Sequence, residues 1–250
     1  MNRFLKVNVS VLFYVFLFLL IFSFELIGQT LNTQSFDNST FPPTGWGLFS
    51  PTGAYWNRST SGSNPTTTPH SGVGMAFYYS YSINNGNYCN LYSPTFDLSN
   101  IGSNTATVKF WMYRDNGYSS SSDKVEIYIN TTTSTVGGTK LGTINRSITQ
   151  SPIVATNGWY QYEYNLPSQY NGSANYLIFN AVSGYGNNMY IDDIEYTSYP
   201  SDMSFVSSTT EQVSETNYKV GTQNCKIIRL AINTTGELNK FNITSITFNT

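Results

Sequence analysis

The stretch "TVKFWMY", Thr107–Tyr113, sets Val108, Phe110 and Met112 on one side of an extended backbone and Lys109, Trp111 and Tyr113 on the other. Successive side chains of a strand point to opposite faces, so this alternation describes a half-buried antiparallel strand with one apolar face toward a core. Downstream, "KVEIYI", Lys124–Ile129, repeats the pattern, with Val125, Ile127 and Ile129 opposed to Glu126 and Tyr128. Strand-like runs also occupy Gly74–Ser80, Trp159–Asn165, Asn175–Val182 and Met189–Tyr196. Between the runs lie "SGSNPTTTPHSG", "DNGYSSSSD", "NTTTSTVGG" and "LPSQYNGS", segments of turn-forming residues. Short strands, polar turns and no helical period predict an all-β chain, a jelly-roll β-sandwich over about Thr30–Ser198. No helix of more than a few turns is expected after Gln29. At "SYPSDMS", Ser198–Ser204, the composition shifts and a linker is expected over 199–202. "CKIIRLAI" and "KFNITSITFN" alternate as strands do, so 203–250 are expected to begin a second β-sandwich domain that is incomplete at Thr250.

Composition removes several function classes. Net charge is -2 and the 12 Lys and Arg residues form no basic run, which leaves no electrostatic footprint for a nucleic-acid backbone. "MNRFLK", the apolar run Val9–Phe24 and the small residue Gly28 follow the order of a secretory signal, expected over 1–28. The alternative is an uncleaved membrane anchor. Either way the chain is exported, to the cell surface or the medium, with no membrane association once the signal is cleaved. Cys89 and Cys225, the two cysteines, fall in different domains and are expected to be unbridged thiols.

Hydrolytic chemistry finds no constellation. A Ser triad or Cys dyad needs a histidine base, and His70, the single histidine, sits in a turn between Pro69 and Ser71. Glycosidase chemistry needs two carboxylates facing one cleft, and the spacing of Asp97, Asp115, Asp123, Glu126, Glu163 and Glu195 selects no pair. The expectation is a protein that is not an enzyme. Binding remains. Tyrosine offers an apolar face with a polar tip that suits sugar rings and protein partners alike. If Phe77 and Tyr79 of "FYYSYS" face the core, Tyr78 faces out, while Tyr118 and Tyr185 lie in Gly- or Ser-rich loops. These three tyrosines, with Trp56, which suits either a surface or the core, are the candidate ligand-binding residues. Trp46, Trp111 and Trp159 read as core or inter-sheet residues. The sequons of this Asn-, Ser- and Thr-rich chain carry no function here.

"SFDNSTFPPTGW" (Ser35–Trp46), "PHSGVGMAFYYS", "LYSPTFDLSN", "VKFWMYRDNGYSSSSDKVEIYI", "GWYQYEYNLPSQYNG" and "GNNMYIDDIEY" follow one another in the order of a known family. Together they resemble the cleaved-adhesin domain of secreted Bacteroidetes proteins, a relative of the MAM-like jelly rolls. Each motif alone is weak; their order is specific. The chain departs from the pattern at Cys89 and Asn90, where the family more often has a Trp and an aliphatic residue. Beyond the linker the sequence resembles the start of the domain that precedes BNR-repeat neuraminidases.

The resemblance bears on "YIDDIEY", where Asp192 and Asp193 stand between Ile191 and Ile194. Jelly rolls similar to this one often bind a structural calcium between the first and last strands, with the last-strand Asp as a ligand. Calcium takes carboxylate and carbonyl oxygens together and offsets the cost of a buried carboxylate. Asp192, in phase with Ile194, is the first candidate and Asp193 the second, with Asp37 from the first strand and carbonyls of Ser71 or Gly72. Zinc would want His and Cys. The alternative is that the two aspartates cap turn amides. Three functions are left open: a non-catalytic adhesion module that binds a glycan or a host or extracellular protein, an accessory region of a larger secreted hydrolase, and a structural spacer.

Overall fold

The computed structural model of the 250-residue chain describes residues 29–212, 228–236 and 242–244. The expected signal segment, Cys225 and most of "KFNITSITFN" lie outside the described residues. Among the described residues the regular structure is strands and two single 3-10 turns, Ser80–Ser82 and Ser168–Tyr170. In chain order the strands are β1 (Thr30–Gln34), β2 (Gly47–Phe49), β3 (Trp56–Ser59), β4 (Met75–Tyr78), β5 (Tyr88–Tyr92), β6 (Thr107–Arg114) and β7 (Lys124–Asn130). They continue with β8 (Thr139–Asn145), β9 (Gly158–Asn165), β10 (Tyr176–Val182), β11 (Met189–Ser198), β12 (Ser204–Gln212) and β13 (Ile228–Thr235).

Two antiparallel sheets form the sandwich, one ordered β3-β4-β11-β6-β9 with β1 added beside β11, the other β2-β5-β10-β7-β8. The alternation in "TVKFWMY" does what its period demands. Val108, Phe110 and Met112 are fully buried and meet Val125, Ile127, Ile129, Leu177 and Phe179 of the second sheet in one core. Phe110 packs edge-on against Phe179 at 5.1 Å between ring centroids. Cys89 is buried in this core as a free thiol, and burial pushes its pKa up.

Two of the candidate ligand-binding residues belong to that core. Tyr78 and Trp56 are buried, Tyr78 with its hydroxyl donating to the Asn87 carbonyl at 2.8 Å. Trp56 Nε1 donates to the carbonyls of Cys89 (3.0 Å) and Phe179 (3.2 Å), so its ring bridges the two sheets. The phase of "FYYSYS" is opposite to the expected one because aromatic residues occupy both parities, and the register with β11, Met189 opposite Tyr78, selects the face. Trp111 and Trp159 are corrected the other way. They lie on the outer face of the six-stranded sheet, under the loop 60–73, where His70 stacks on Trp111 at 3.8 Å and Trp159 Nε1 donates to Thr68 O at 3.1 Å.

β11 carries the feature that organises one end of the molecule. Along its first half it pairs with β4, along its second half with β1, and the register against β6 shifts between Asp192 and Glu195. Ile191 and Ile194 are both in the core although three residues apart, so Asp193, at φ 45, is the extra residue of a β-bulge. Asp192 is therefore not in phase with Ile194. It pairs with Trp111 on the outer face and is buried there.

The expected linker begins inside the sandwich: Tyr199 is buried, its N–H donates to Asp97 O at 2.6 Å, and Asn100 Nδ2 donates to Pro200 O at 3.0 Å. Beyond it, β12 and β13 form an antiparallel pair of their own.

Candidate functional site

Three places bring chemistry-bearing side chains together. The first is the bulge. β1 and β4 hand over along β11 at this point, so the chain leaving β1 and the turn ahead of β4 converge on Asp192 and Asp193. Asp192 Oδ2 accepts the N–H groups of His70 (2.9 Å) and Ser71 (3.4 Å), and its Oδ1 accepts that of Asp193 (2.8 Å). Asp193 accepts from His70 Nδ1 at 2.6 Å and from Ser71 Oγ at 2.8 Å. Asp37 closes the other side of the turn by accepting Val73 N–H at 2.6 Å, which holds its carboxyl below the usual carboxylate range. Arg58 adds a cation, donating from Nε to Phe36 O (2.5 Å) and from Nη2 to Asp37 O (3.0 Å) and Val73 O (3.1 Å). Burial pushes the Asp192 carboxyl up to about 7, with the Asp193 charge adding to it and the three amides opposing.

The candidate residues Asp37, Ser71, Gly72, Asp192 and Asp193 thus lie around one turn, where the three carboxylates accept hydrogen bonds and Ser71 offers its amide and hydroxyl. Asp37, Asp192, Asp193 and the Ser71 hydroxyl each offer oxygen, the atom type a hard cation takes. Gly72, at φ 57, keeps the turn close to Asp37: a Cβ there would fall 2.1 Å from Oδ1. Among the described residues, however, no three His, Cys, Asp or Glu side chains form a group that could hold a metal ion. The arrangement in place is the capping one. His70 lies on the outer surface while Cys89 is in the core, so the dyad of a thiol hydrolase is not assembled.

The second place is a loop tip. Tyr118 and Tyr185, 56% and 60% exposed, project as the sequence suggested, and Tyr81, 39% exposed, joins them with its ring 6.0 Å from that of Tyr118. Tyr118 and Tyr185 sit at φ 45 and 60, left-handed values that are costly for bulky residues. A buried ion cluster holds them there. Arg146 pairs with Asp115 (2.7 Å) and Asp123 (3.2 Å) and donates to Tyr118 O (3.0 Å). Asp123 Oδ1 in turn collects the Gly184 and Gly186 N–H groups at 2.6 and 3.1 Å and the Ser80 hydroxyl.

The third place was not seen in the sequence. Strand parity puts Phe49, Asn90, Asn180, Glu126 and Thr143 in one row across the outer face of the five-stranded sheet. The next row reads Gly47, Tyr92, Ile178, Tyr128 and Lys140; on the other side lie Tyr88, Val182, Lys124 and Asn145. Asn90 and Asn180 are 1% and 8% exposed, and each has an Oδ1 with no hydrogen-bond partner. A third such atom, Asn175 Oδ1, lies off this face, beside the Phe96 bridge. The rings of Tyr88, Tyr92 and Tyr128 are half-buried around the amides, and Phe49 is exposed. Tyr92 lies across β2, where only the missing side chain of Gly47 admits it: a Cβ would come within 2.2 Å of the ring. Glu126 Oε1 accepts from Lys140 at 2.8 Å and lies 3.2 Å from Lys124 Nζ, and its Oε2 accepts from Tyr128 (3.0 Å) and Asn180 (3.4 Å). Burial alone would raise the Glu126 carboxyl; Lys140, Lys124 and Tyr128 outweigh it and hold it below the ordinary value. The available signal was an Asn at an outward position of "YCNLY", facing another in "YLIFNAV".

No protein-family model matches this chain, and no curated protein does. Among solved structures it is similar to the K1 cleaved adhesin domain of Lys-gingipain from Porphyromonas gingivalis W83, at 18% identity over 67% of this chain and 97% of that one, with a TM-score of 0.46. The K3 domain of the same protein matches at 17% identity over 67% and 98%, TM-score 0.48. A CBM27-1 of Caldicellulosiruptor saccharolyticus, in complex with mannohexaose, matches at 13% identity over 66% and 96%, TM-score 0.45.

Proposed function

We propose that the sandwich is a non-catalytic glycan-binding module of an exported protein, with the outer face of the five-stranded sheet as its binding surface. The aromatic rings of this face carry this reading: Phe49 is 52% exposed, and Tyr88, Tyr92 and Tyr128 are half-buried around the polar row. On the same face the Oδ1 atoms of Asn90 and Asn180 are unpartnered and closed to solvent. A buried acceptor left unsatisfied costs about 1–3 kcal/mol, and native proteins keep few of them. Because these two atoms are closed to solvent they meet no ligand directly, whereas the tyrosine rings around them suit the apolar faces of sugar rings. The same module attached to a catalytic domain elsewhere would be an accessory region; a spacer would bind nothing.

Glycan-array screening followed by calorimetry tests the reading. Replacing Phe49 and Tyr92 together by Ala is expected to weaken the bound glycan by about tenfold, as the loss of two stacking rings allows. Asn90→Ala alone is expected to melt no lower than the wild type, since no partner of its Oδ1 is lost. A glycan whose binding follows Tyr118 and Tyr185 instead would move the site to the loop tip, and failure of every glycan favours the spacer.

Calcium at the bulge is a separate proposal. Its support is that Asp192 and Asp193 meet the same turn, 70–73, that Asp37 meets from its other side. If a cation is held there in the native state only, chelation lowers the melting temperature, and calcium at about a hundredfold over its dissociation constant restores roughly 2.7 kcal/mol. A melt indifferent to chelator leaves the capping arrangement as the whole account.

A further inference from the structure

Resting on the glycan reading, the charge pattern of the same face narrows the ligand. We propose that the site selects acidic glycans, chains carrying uronic or sialic acid carboxylates, and that Lys124 and Lys140 confer this selectivity. In a chain whose net charge is -2, this face carries two lysines bracketing one carboxylate, Glu126, from the rows on either side of it. Both ammonium groups converge on the same oxygen, Glu126 Oε1, at 3.2 and 2.8 Å. One lysine would neutralise Glu126, so the pair leaves one positive charge in surplus. Lys124 and Lys140 keep about a third or more of their side chains exposed, at 34% and 44%, and an ammonium has three donors, so each has N–H groups to give to a ligand.

The positions order the ligand across the sheet. Neighbouring strands lie about 4.8 Å apart, so the row from β2 to β8 spans roughly 19 Å, the reach of a short oligosaccharide rather than a single sugar. Phe49 stands at one end, the rings of Tyr88 and Tyr92 flank the row, and the lysine pair stands at the far end. A glycan along this row lays its sugar rings against the aromatic rings and brings a carboxylate to the lysines. A neutral glycan satisfies the first part only.

The test holds the sugar backbone constant and changes only charge. Polygalacturonate, alginate, hyaluronan and polysialic acid are each compared with their methyl-esterified forms by affinity electrophoresis and calorimetry on the full protein. At least one acid form is expected to bind about fivefold or more tighter than its ester, as one exposed charge pair allows. Raising the salt is expected to close that gap. Lys124→Gln with Lys140→Gln should remove the preference. Glu126→Gln, which keeps the shape and adds to the surplus charge, should increase it, and thermal melts check that both variants fold. Ester and acid forms bound equally would overturn the acidic preference and leave the glycan reading standing. Binding to none of the polymers, acid or ester, with neutral glycans still captured on the array, would likewise overturn it; binding to no glycan at all would overturn both.

Discussion

Arg146→Met is expected to cost about 3–5 kcal/mol of folding stability, measured as a shift of the denaturant midpoint, because it leaves two buried carboxylates without their cation. Arg146, Asp115 and Asp123 are all essentially inaccessible to solvent, and the guanidinium is paired to both acids at 2.7 and 3.2 Å. Replacing one member of such a cluster is far worse than never having built it, since the remaining charges have no water to turn to. The loss should also be local. Arg146 holds Tyr118 O, and Asp123 holds the amides on either side of Tyr185, so the tyrosine tip should loosen before the sandwich opens. Hydrogen exchange should show the 115–123 and 183–187 loops losing protection first. A variant as stable as the wild type would mean that these carboxylates are reached by water.

Between pH 7 and pH 5, in chelator, the wild-type protein should gain stability relative to Asp192→Asn. The sign follows from the direction of the shift. Burial raises the Asp192 carboxyl from 3.8 to about 7, so the folded protein holds this proton more tightly than the unfolded chain does. Its ionisation therefore destabilises the fold: the cost is absent below about pH 4, grows through the interval, and is complete above about pH 7. The most this one group can contribute is about 4 kcal/mol. Glu126 and Asp37, whose carboxyls are held low, act in the opposite direction and only at more acid pH. Subtracting the Asp192→Asn profile isolates the aspartate from these. A bound cation would hold the carboxylate ionised and reverse the slope, so the same titration with calcium present reads the two accounts of the bulge separately. Parallel profiles in chelator would show that Asp192 is not buried as described.

Much of this molecule is legible in its period-two patterns. "TVKFWMY" and "KVEIYI" alternate between apolar and polar side chains, and the strand period then leaves one face for the core. Turn residues set the punctuation, and two acids between isoleucines marked a place that other groups must meet, which the turn 70–73 does. What failed was phase. In "FYYSYS" both parities are aromatic, so the pattern is equally consistent with Tyr78 in or out, and pairing with Met189 settled it. In "YIDDIEY" the bulge inserts one residue, and no local signal distinguishes it from a regular strand. It follows from β11 exchanging β4 for β1 as its neighbour.

The sequence by itself determined the fold class, because side-chain alternation is a property of each strand alone. Only the tertiary structure decided the candidate site. Asn90, Asn180 and Glu126 lie far apart in the chain and become one row only through the registers of β5, β10 and β7. Whether a buried amide has a partner depends on its neighbours across strands. The tyrosine tip divides in the same way: loops rich in Ser and Gly announce exposure, but the backbone that holds Tyr118 and Tyr185 outward rests on an arginine and two aspartates that meet only when the chain is folded.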